Sequence, residues 1–274
     1  MSDDGTMPTV GSAGEDGRGY PLVGIDMSVL VDQKRDRRIS VCIPARNEEA
    51  TVGPIVHAVM ADLTQHGGGA HLVDEVIVVD DGSVDRTAEL ARQAGARVIS
   101  ADSPAGGKGQ AMRAALNHSD SELVAFLDAD VTNFDSSFVT GLLGPLLADE
   151  SVALVKGYYE RPLRGAPDGG GRVTELVARP VIDLLFPHLS SIEQPLAGET
   201  ATPRRVLEKC GLADGYAVEL ALLIDVASIF GTASITQVDL GVRIHRNRPL
   251  SELRPQATDI LRAALARAPL ITPD

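Results

Sequence analysis

The sequence predicts an α/β fold, in which helices cover both faces of a mostly parallel sheet. Short apolar segments bounded by proline, glycine or charge alternate with segments whose apolar residues recur every three or four positions. No repeat and no linker divides the 274 residues. Ligands of such sheets bind beyond the carboxyl ends of the strands. We therefore expect a single domain with its ligand site at that edge.

The predicted elements of the first half follow one another regularly. Residues 1–36 are rich in Gly, Asp and Ser and lack a hydrophobic period, so we expect a disordered tail before a domain at 37–274. ISVCIPA, from Ile39, predicts the first strand, and Asn47 is the expected N-cap of the following helix. Strands are predicted next in VDEVIVVDD, ARVIS and SELVAFLDAD, with helices at 84–94 and after GGKG.

The second half is less regular. We expect a strand near 151–157, a glycine turn at 169–171 and a helix at 173–185. YAVELALLIDVASIF predicts a buried helix that ends at Gly231. ASITQVDLG predicts a strand, and LSELRPQATDILRAALARA predicts a closing helix interrupted by Pro255.

The composition limits the classes of function. A net charge of −13 argues against binding of nucleic acids or anionic membranes, although a small anionic ligand needs only a local basic pocket. Cys42 and Cys210 form neither a disulfide framework nor a metal-binding spacing. Glu219 and Asp225 interrupt the longest apolar stretch, which excludes it as a membrane span. The N-terminus is acidic rather than signal-like, so we expect a cytoplasmic protein.

Polar groups end three of the predicted strands, at 44–48, 80–83 and 128–130. Asp128 and Asp130 are alternate residues, so their side chains leave the strand in the same direction. Such a pair suits a divalent cation that shares its coordination sphere with substrate phosphates. A polar cap on a strand is the ordinary alternative.

Three motifs in this order, IPARNE, VVDDGSVDRT and FLDAD, resemble the nucleotide-sugar-binding half of family 2-like glycosyltransferases with the GT-A fold. GKGQAM, LVKGYYERPL, GGGRVTELVARP, QPLAGE, GYAVELALLID and QVDLGVRIHRNRPL resemble the glucosyl-3-phosphoglycerate synthases of glycosyltransferase family 81. The resemblance covers residues 39–265. It implies a homodimeric, retaining transferase that uses Mg²⁺ or Mn²⁺ and moves glucose from UDP-glucose to the 2-hydroxyl of 3-phosphoglycerate.

The resemblance also implies the residues of the site. The donor would be bound by Pro44, Ala45, Arg46, Asn47, Glu48, Asp81, Lys108, Asp128, Ala129, Tyr216, Glu219, Arg243 and Arg248. The acceptor would be bound by Gly171, Arg172, Val173, Thr174 and Asn247, and the metal by Asp130 and His245. Lys108, Glu219 and the backbone carbonyl of Leu196 would take part in catalysis.

Chemistry supports several of these roles independently. A lysine and a divalent cation stabilise the charge that develops on a leaving diphosphate, and an arginine fork suits a phosphate or a carboxylate. Glu219 lies in an apolar helix and requires a partner. With Glu199 it is also a candidate nucleophile for double displacement.

Ordinary explanations compete with these roles. Lys108 could be a solvated residue at a helix start, and Arg172 could pair with Glu175 on a helix surface. His245 could simply lie at a strand edge.

Some segments depart from the family pattern: PARNE replaces PALNE, DAD replaces DSD, QPLAGE replaces QPLSGE, and Asp81 stands where serine is commoner. The loop RGAPD before GGGRVTE is also short. These departures leave open another nucleotide-sugar donor, such as a GDP-sugar, or another acceptor. A sugar nucleotidyltransferase and a non-catalytic nucleotide-sugar binder are the remaining alternatives.

Overall fold

One sheet forms the centre of the computed structural model, which describes residues 20–21, 26–65, 71–101, 106–160, 171–244 and 250–268. The strands in these residues are β1 (Tyr20–Pro21), β2 (Ile39–Ala45), β3 (Glu75–Asp80), β4 (Arg97–Ser100), β5 (Leu123–Phe126), β6 (Leu154–Glu160), β7 (Thr200–Pro203) and β8 (Ile235–Val242). Their spatial order is β1-β8-β6-β7-β5-β2-β3-β4. All neighbouring pairs are parallel except those of β7, which runs antiparallel to both β5 and β6. The predicted mostly parallel α/β fold is confirmed.

Helices cover both faces of this sheet. They are α1 (Met27–Lys34), α2 (Val52–Leu63), α3 (Thr87–Gln93), α4 (Lys108–Asn117), α5 (Ser137–Ala148), α6 (Arg179–Leu185), α7 (Arg204–Cys210), α8 (Val218–Phe230) and α9 (Leu250–Leu265). A π-helical turn at Thr174–Ala178 leads into α6. None of the helices in the described residues is both long and apolar enough to cross a membrane.

Two apolar layers enclose the sheet, and the alternation of β2 divides its residues between them. Val41 and Ile43 belong to the layer that includes α2 and α5, whereas Cys42 belongs to the layer that includes α4 and α8. All three side chains are fully buried. Each fully buried Val or Ile contributes about 1.5–3 kcal/mol, so these layers fix the strand register and hold the strand ends in place.

The N-terminal segment differs from its prediction as a disordered tail. Residues 27–34 form α1, Leu30 is fully buried in the core, and Asp26 accepts a hydrogen bond from the N–H of Ser28 at 2.8 Å. A few apolar side chains within a polar segment are enough to dock such a helix. Residues 1–19 lie outside the described residues.

Asn47 was predicted to be the N-cap of α2. This prediction is wrong, because the helix begins five residues later. Asn47 instead has a positive φ of 56°. Its N–H donates to Ser83 at 3.0 Å, and its side-chain oxygen accepts from the N–H of Val84 at 2.9 Å. Asn47 therefore joins the loops that follow β2 and β3.

The prediction that Pro255 interrupts the closing helix is also wrong, since α9 continues through it. A proline inside a helix costs about 3 kcal/mol. Burial of Ile260 and Ala264 on the same helix offsets that cost.

Candidate active site

A cavity of about 250 Å³ lies at the carboxyl ends of β2, β3 and β5. Parallel pairing places Ala45 of β2 beside Asp80 of β3, so the polar segments that follow the two strands meet at one edge. Asp128 and Asp130 follow β5, the other neighbour of β2, and also line this cavity. The site lies where the topology of the sheet predicts it.

Most of the predicted site residues line this one cavity. They are Pro44, Ala45, Arg46, Glu48, Asp81, Lys108, Asp128, Ala129, Asp130, Gly171, Arg172, Val173, Thr174, Leu196, Tyr216, Glu219 and Arg243. Asn47 is absent from the lining, because its side chain connects two loops. His245, Asn247 and Arg248 lie outside the described residues.

Four lining residues were not predicted: Ala111, Leu253, Gln256 and Ile260. The last three occupy one face of α9 at helical spacing. The spacing could have identified that face, but the sequence gives no signal that the closing helix reaches the cavity.

Lys108 begins α4, directly after Gly107, whose φ is 85°. Its ammonium contacts the carboxylate of Asp128 and lies 2.7 Å from Oε1 of Glu219. Burial alone would lower the pKa of Lys108, but Asp128 and Glu219 outweigh burial and raise the pKa above its ordinary value. Lys108 is therefore a charged residue of the cavity rather than a solvated one. It is also the partner that Glu219 requires.

Arg243 is almost fully buried beside the two aspartates. Its Nη2 donates to Asp128 at 2.7 Å and to Asp130 at 2.8 Å, and its Nη1 donates to the hydroxyl of Tyr159 at 2.7 Å. Its Nε lies 3.3 Å from Glu199. Burial disfavours the guanidinium charge, yet Glu199, Tyr159 and the aspartates outweigh that effect and raise the pKa of Arg243.

Asp128 lies between the two cations. Burial would raise the pKa of its carboxyl group, but Lys108 and then Arg243 hold that pKa far below the ordinary value. Asp128 therefore stays ionised, and its carboxylate is paired with Lys108 and Arg243. Asp130 contacts one of the two cations, Arg243.

This carboxylate pair fits a divalent cation. Mg²⁺ usually takes one or two protein carboxylates and completes its coordination sphere with substrate phosphates and water. The described part of the chain gathers no group of three His, Cys, Asp or Glu side chains that could hold a metal. A cation bound to Asp130 therefore needs further ligands from a bound molecule or from residues beyond the described ones.

Asp81 positions the glycine turn that precedes Lys108. Its buried carboxylate accepts hydrogen bonds from the N–H groups of Gly106 and Gly107, both at 3.1 Å. The aspartate that departs from the family pattern therefore has a structural role beside its place in the cavity.

The predicted acceptor residues that the structure describes lie together at a helix start. Gly171 has a φ of 75°, and the chain from Arg172 is helical and lines the cavity as far as Thr174. Glu175, the alternative partner of Arg172, lies 3.5 Å from Arg179. A helix start presents free N–H groups, which suits an anion.

The segment before β7 forms the base of the cavity. Leu196 lines the cavity, whereas Glu199 is 1% exposed and does not. Of the two candidate nucleophiles, Glu219 is therefore the one that a sugar in the cavity could reach.

Comparison with known proteins identifies related sequences and structures. The model of the glycosyl transferase family 2 matches residues 40–169. A glucosyl-3-phosphoglycerate synthase from Mycolicibacterium smegmatis is 46% identical over 244 residues, which is 85% of this chain and 78% of that protein.

Two crystal structures of glucosyl-3-phosphoglycerate synthase from Mycobacterium tuberculosis are also similar. One, in complex with Mn²⁺, UDP-glucose and phosphoglyceric acid, has a TM-score of 0.79 and 42% identity, covering 89% of this chain and 84% of that one. Another, in complex with Mg²⁺ and UDP, has a TM-score of 0.80 and 41% identity over the same shares.

Proposed function

Because the chain belongs to the glucosyl-3-phosphoglycerate synthase family, we propose that it transfers glucose from UDP-glucose to the 2-hydroxyl of 3-phosphoglycerate with retention. One observation carries the proposal. A single cavity is lined both by the Asp128–Asp130 segment and by the Gly171–Thr174 segment. Groups suited to a nucleoside diphosphate and groups suited to a small phosphorylated acid therefore face the same space.

The donor occupies the edge formed by β2, β3 and β5. The nucleoside is contacted by Pro44, Ala45, Arg46, Glu48 and Asp81. Lys108 and Arg243 provide positive charge for the diphosphate, although the whole chain carries −13. Local cations of this kind let an acidic protein bind an anionic donor.

Asp130, with His245, holds the divalent cation. A bound Mg²⁺ or Mn²⁺ neutralises the charge that develops on the departing UDP. Arg243 keeps the carboxylates of Asp128 and Asp130 oriented through its two hydrogen bonds from Nη2.

The acceptor binds at the helix start. Arg172 presents its guanidinium fork to the phosphate or the carboxylate, Thr174 adds a hydroxyl, and the backbone N–H groups after Gly171 approach the anion. Val173 and Asn247 complete this subsite.

The transfer takes place on one face of the sugar. Glu219 accepts hydrogen bonds from the sugar hydroxyls, with its carboxylate fixed by Lys108. The carbonyl of Leu196 accepts a hydrogen bond from the acceptor hydroxyl and orients it. The bond between the anomeric carbon and the phosphate oxygen breaks as the new glycosidic bond forms, and the hydroxyl proton passes to an oxygen of the leaving UDP.

The proposal is tested by measuring UDP release from UDP-glucose in Mg²⁺ or Mn²⁺, with and without 3-phosphoglycerate. We expect release that depends on the acceptor, a product heavier by one hexose, and an α-anomeric signal by NMR. Absence of stimulation by 3-phosphoglycerate, or preference for GDP-glucose, would overturn the assigned substrates.

Arg172→Ala tests the acceptor subsite. We expect the KM for 3-phosphoglycerate to rise at least about tenfold with little change in the KM for UDP-glucose, because the proposal assigns the guanidinium to the acceptor and not to the donor. Arg179→Ala, on the same helical segment but outside the cavity lining, is the matched control. An unchanged acceptor KM in Arg172→Ala would place the acceptor elsewhere.

A homodimer and a cytoplasmic location remain predictions from the resemblance and the sequence. Light scattering coupled to size-exclusion chromatography decides the first, with a mass of twice 28.8 kDa expected. Fractionation of the producing cells decides the second.

A further inference from the structure

A buried lysine lies beneath the cavity without lining it. Lys156, in β6, is 2% exposed, and its Nζ donates a hydrogen bond to the carbonyl of Ala197 at 2.6 Å. Lysine is rarely buried this fully, because removing its charge from water is costly. The position of this lysine therefore calls for a reason beyond packing.

Two consecutive peptide units, Leu196–Ala197 and Ala197–Gly198, are each fixed by one hydrogen bond, and Lys156 supplies the bond to the second unit. The first, between Leu196 and Ala197, is fixed by the N–H of Ala197, which donates to the carbonyl of Gln194 at 3.0 Å. Peptide bonds in the described residues are trans, so the carbonyl of Leu196 points opposite to that N–H. Lys156 fixes the next unit, between Ala197 and Gly198. The two bonds together set the direction of the Leu196 carbonyl.

The same turn presses against the charged pair of the cavity. A Cβ atom added to Gly198 would overlap the carboxylate of Asp128 and the ammonium of Lys108. The turn therefore has no free space on that side, and a movement of Gly198 displaces the pair. On its other side, the backbone carbonyl of Glu199 accepts a hydrogen bond from the N–H of Gly157 at 2.9 Å, which joins the turn to β6.

Lys156 also interacts electrostatically with the charged residues of the site. Burial lowers its pKa to about 8, against the opposing effect of Glu219 from α8. Lys108 from α4 lowers this pKa as well, and Glu199 and Asp128 raise it. A methionine would fill the same space without this electrostatic cost, but it could not hold the Ala197 carbonyl.

We propose that Lys156 is a positioning residue for glucose transfer: by holding the Ala197 carbonyl, it fixes the Leu196–Gly198 turn against Lys108 and Asp128. The inference rests on the proposed function, because the carbonyl of Leu196 and the two charged groups act in that reaction. It extends the functional residues to a side chain that touches no substrate.

Lys156→Met tests the proposal, with Lys34→Met as its matched control. Lys34 is also buried and also donates to a backbone carbonyl, that of His71 at 3.3 Å. Its partners, His71 and Asp74, are not adjacent in the chain to any residue of the cavity lining, whereas Ala197 follows Leu196. For Lys156→Met we expect kcat to fall at least about tenfold, and the Kd for UDP in Mg²⁺ to rise by a smaller factor because Lys108 shifts with the turn. Hydrogen exchange should accelerate at residues 196–198. Lys34→Met should keep the wild-type kcat.

Lys156→Gln, whose side chain is shorter and uncharged, tests the positioning role of Lys156 if Lys156→Met does not fold. We expect the same fall in kcat and the same smaller loss of UDP affinity, since the amide cannot reach Ala197. A wild-type kcat in either folded variant, or an equal loss in Lys34→Met, would overturn the role of Lys156. Lack of glucose transfer by the wild-type protein would instead overturn the proposed function, so the two failures are distinguishable.

Discussion

Asp128 and Asp130 share one sequence motif but differ in their contacts. Asp128 contacts both Lys108 and Arg243, whereas Asp130 shares Arg243 with it. Two cations compensate Asp128 within the protein, so its charge is part of the folded structure. Asp130 is consequently the better placed of the two to bind an added cation.

Asp130→Asn tests this difference. Asparagine keeps the size and can still accept from Arg243, but it loses the charge that attracts a divalent ion. We expect Mg²⁺ to stop strengthening UDP binding, whereas UDP affinity without metal stays at the wild-type value. Titration calorimetry with and without Mg²⁺ measures both quantities. Asp120→Asn, at a carboxylate that is 75% exposed, is the control. A wild-type Mg²⁺ effect in Asp130→Asn would move the metal site elsewhere.

Lys156 makes stability depend on pH in a defined direction. Its pKa falls from 10.5 to about 8 on folding, so between these values the unfolded chain binds more protons. The free energy of unfolding therefore rises with pH in this window. Below about pH 8, Lys156 is charged in the folded protein, which then bears the full destabilising effect of burying that charge. From about pH 7 to about pH 9.5, the unfolding free energy of the wild type should rise by about 2 kcal/mol relative to Lys156→Met.

Denaturant titration of both proteins across this range measures the difference. Because the two chains share all other titratable groups, a difference that stays constant or falls with pH would contradict the prediction.

The residues of the site that lie in recognisable motifs could be predicted from the sequence, including the buried Arg243 and Asp81, whereas Lys156 and the contacts of Glu199 could not. Asp128, Asp130 and Lys108 follow strands or begin a helix within recognisable motifs. Lys156 and Glu199 lie within or beside strands whose pairing is not local. Their contacts depend on β6 and β7 being neighbours, which no periodicity reveals.

At the scale of elements, α2 and α4 both have glycine as their second residue, but the two glycines have different neighbours. Gly53 is the second residue of α2, and Gly109 is the second residue of α4. A Cβ at Gly53 would meet Leu90 at an ordinary 3.9 Å, whereas one at Gly109 would overlap the carbonyl of Ala213.

This pair gives a matched prediction. Gly53→Ala should raise the free energy of unfolding by about 0.5–1 kcal/mol, because alanine favours the helix. Gly109→Ala should lower it by about 1–3 kcal/mol, because the overlap forces α4 to move. The shift also displaces Lys108, so UDP affinity should fall in Gly109→Ala alone. Thermal unfolding and calorimetry test both variants, and equal stabilities would contradict the argument.

Elements with a clear period were predicted correctly, and those without one were missed. β2 to β5 and α8 agree with their apolar patterns, and α8 ends at Gly231 as expected. α5 was missed because its buried face includes nearly the whole helix, with Gly141, Gly144 and Pro145 inside it. β7 was missed because its four residues, TATP, are too few to show a strand pattern. α7, which follows it directly and has seven residues, was missed as well.

At the scale of the molecule, the direction of β7 explains how the second half reaches the site. β7 lies between β5 and β6 and runs antiparallel to both. The turn before β7 therefore lies at the edge where β5 ends, which brings Leu196 to Asp128. The sequence predicted a sheet with parallel strands but not this reversal, because strand direction depends on contacts distant in the chain.

α9 follows all the strands in the described residues, yet Leu253, Gln256 and Ile260 form part of the cavity wall. During synthesis on the ribosome, the sheet and the donor edge can assemble before this helix emerges. The cavity gains its last wall only when α9 docks. Nascent chains that stop before residue 250 should thus be folded around their sheet but unable to enclose a substrate, so the emergence of residues 250–265 creates the working site.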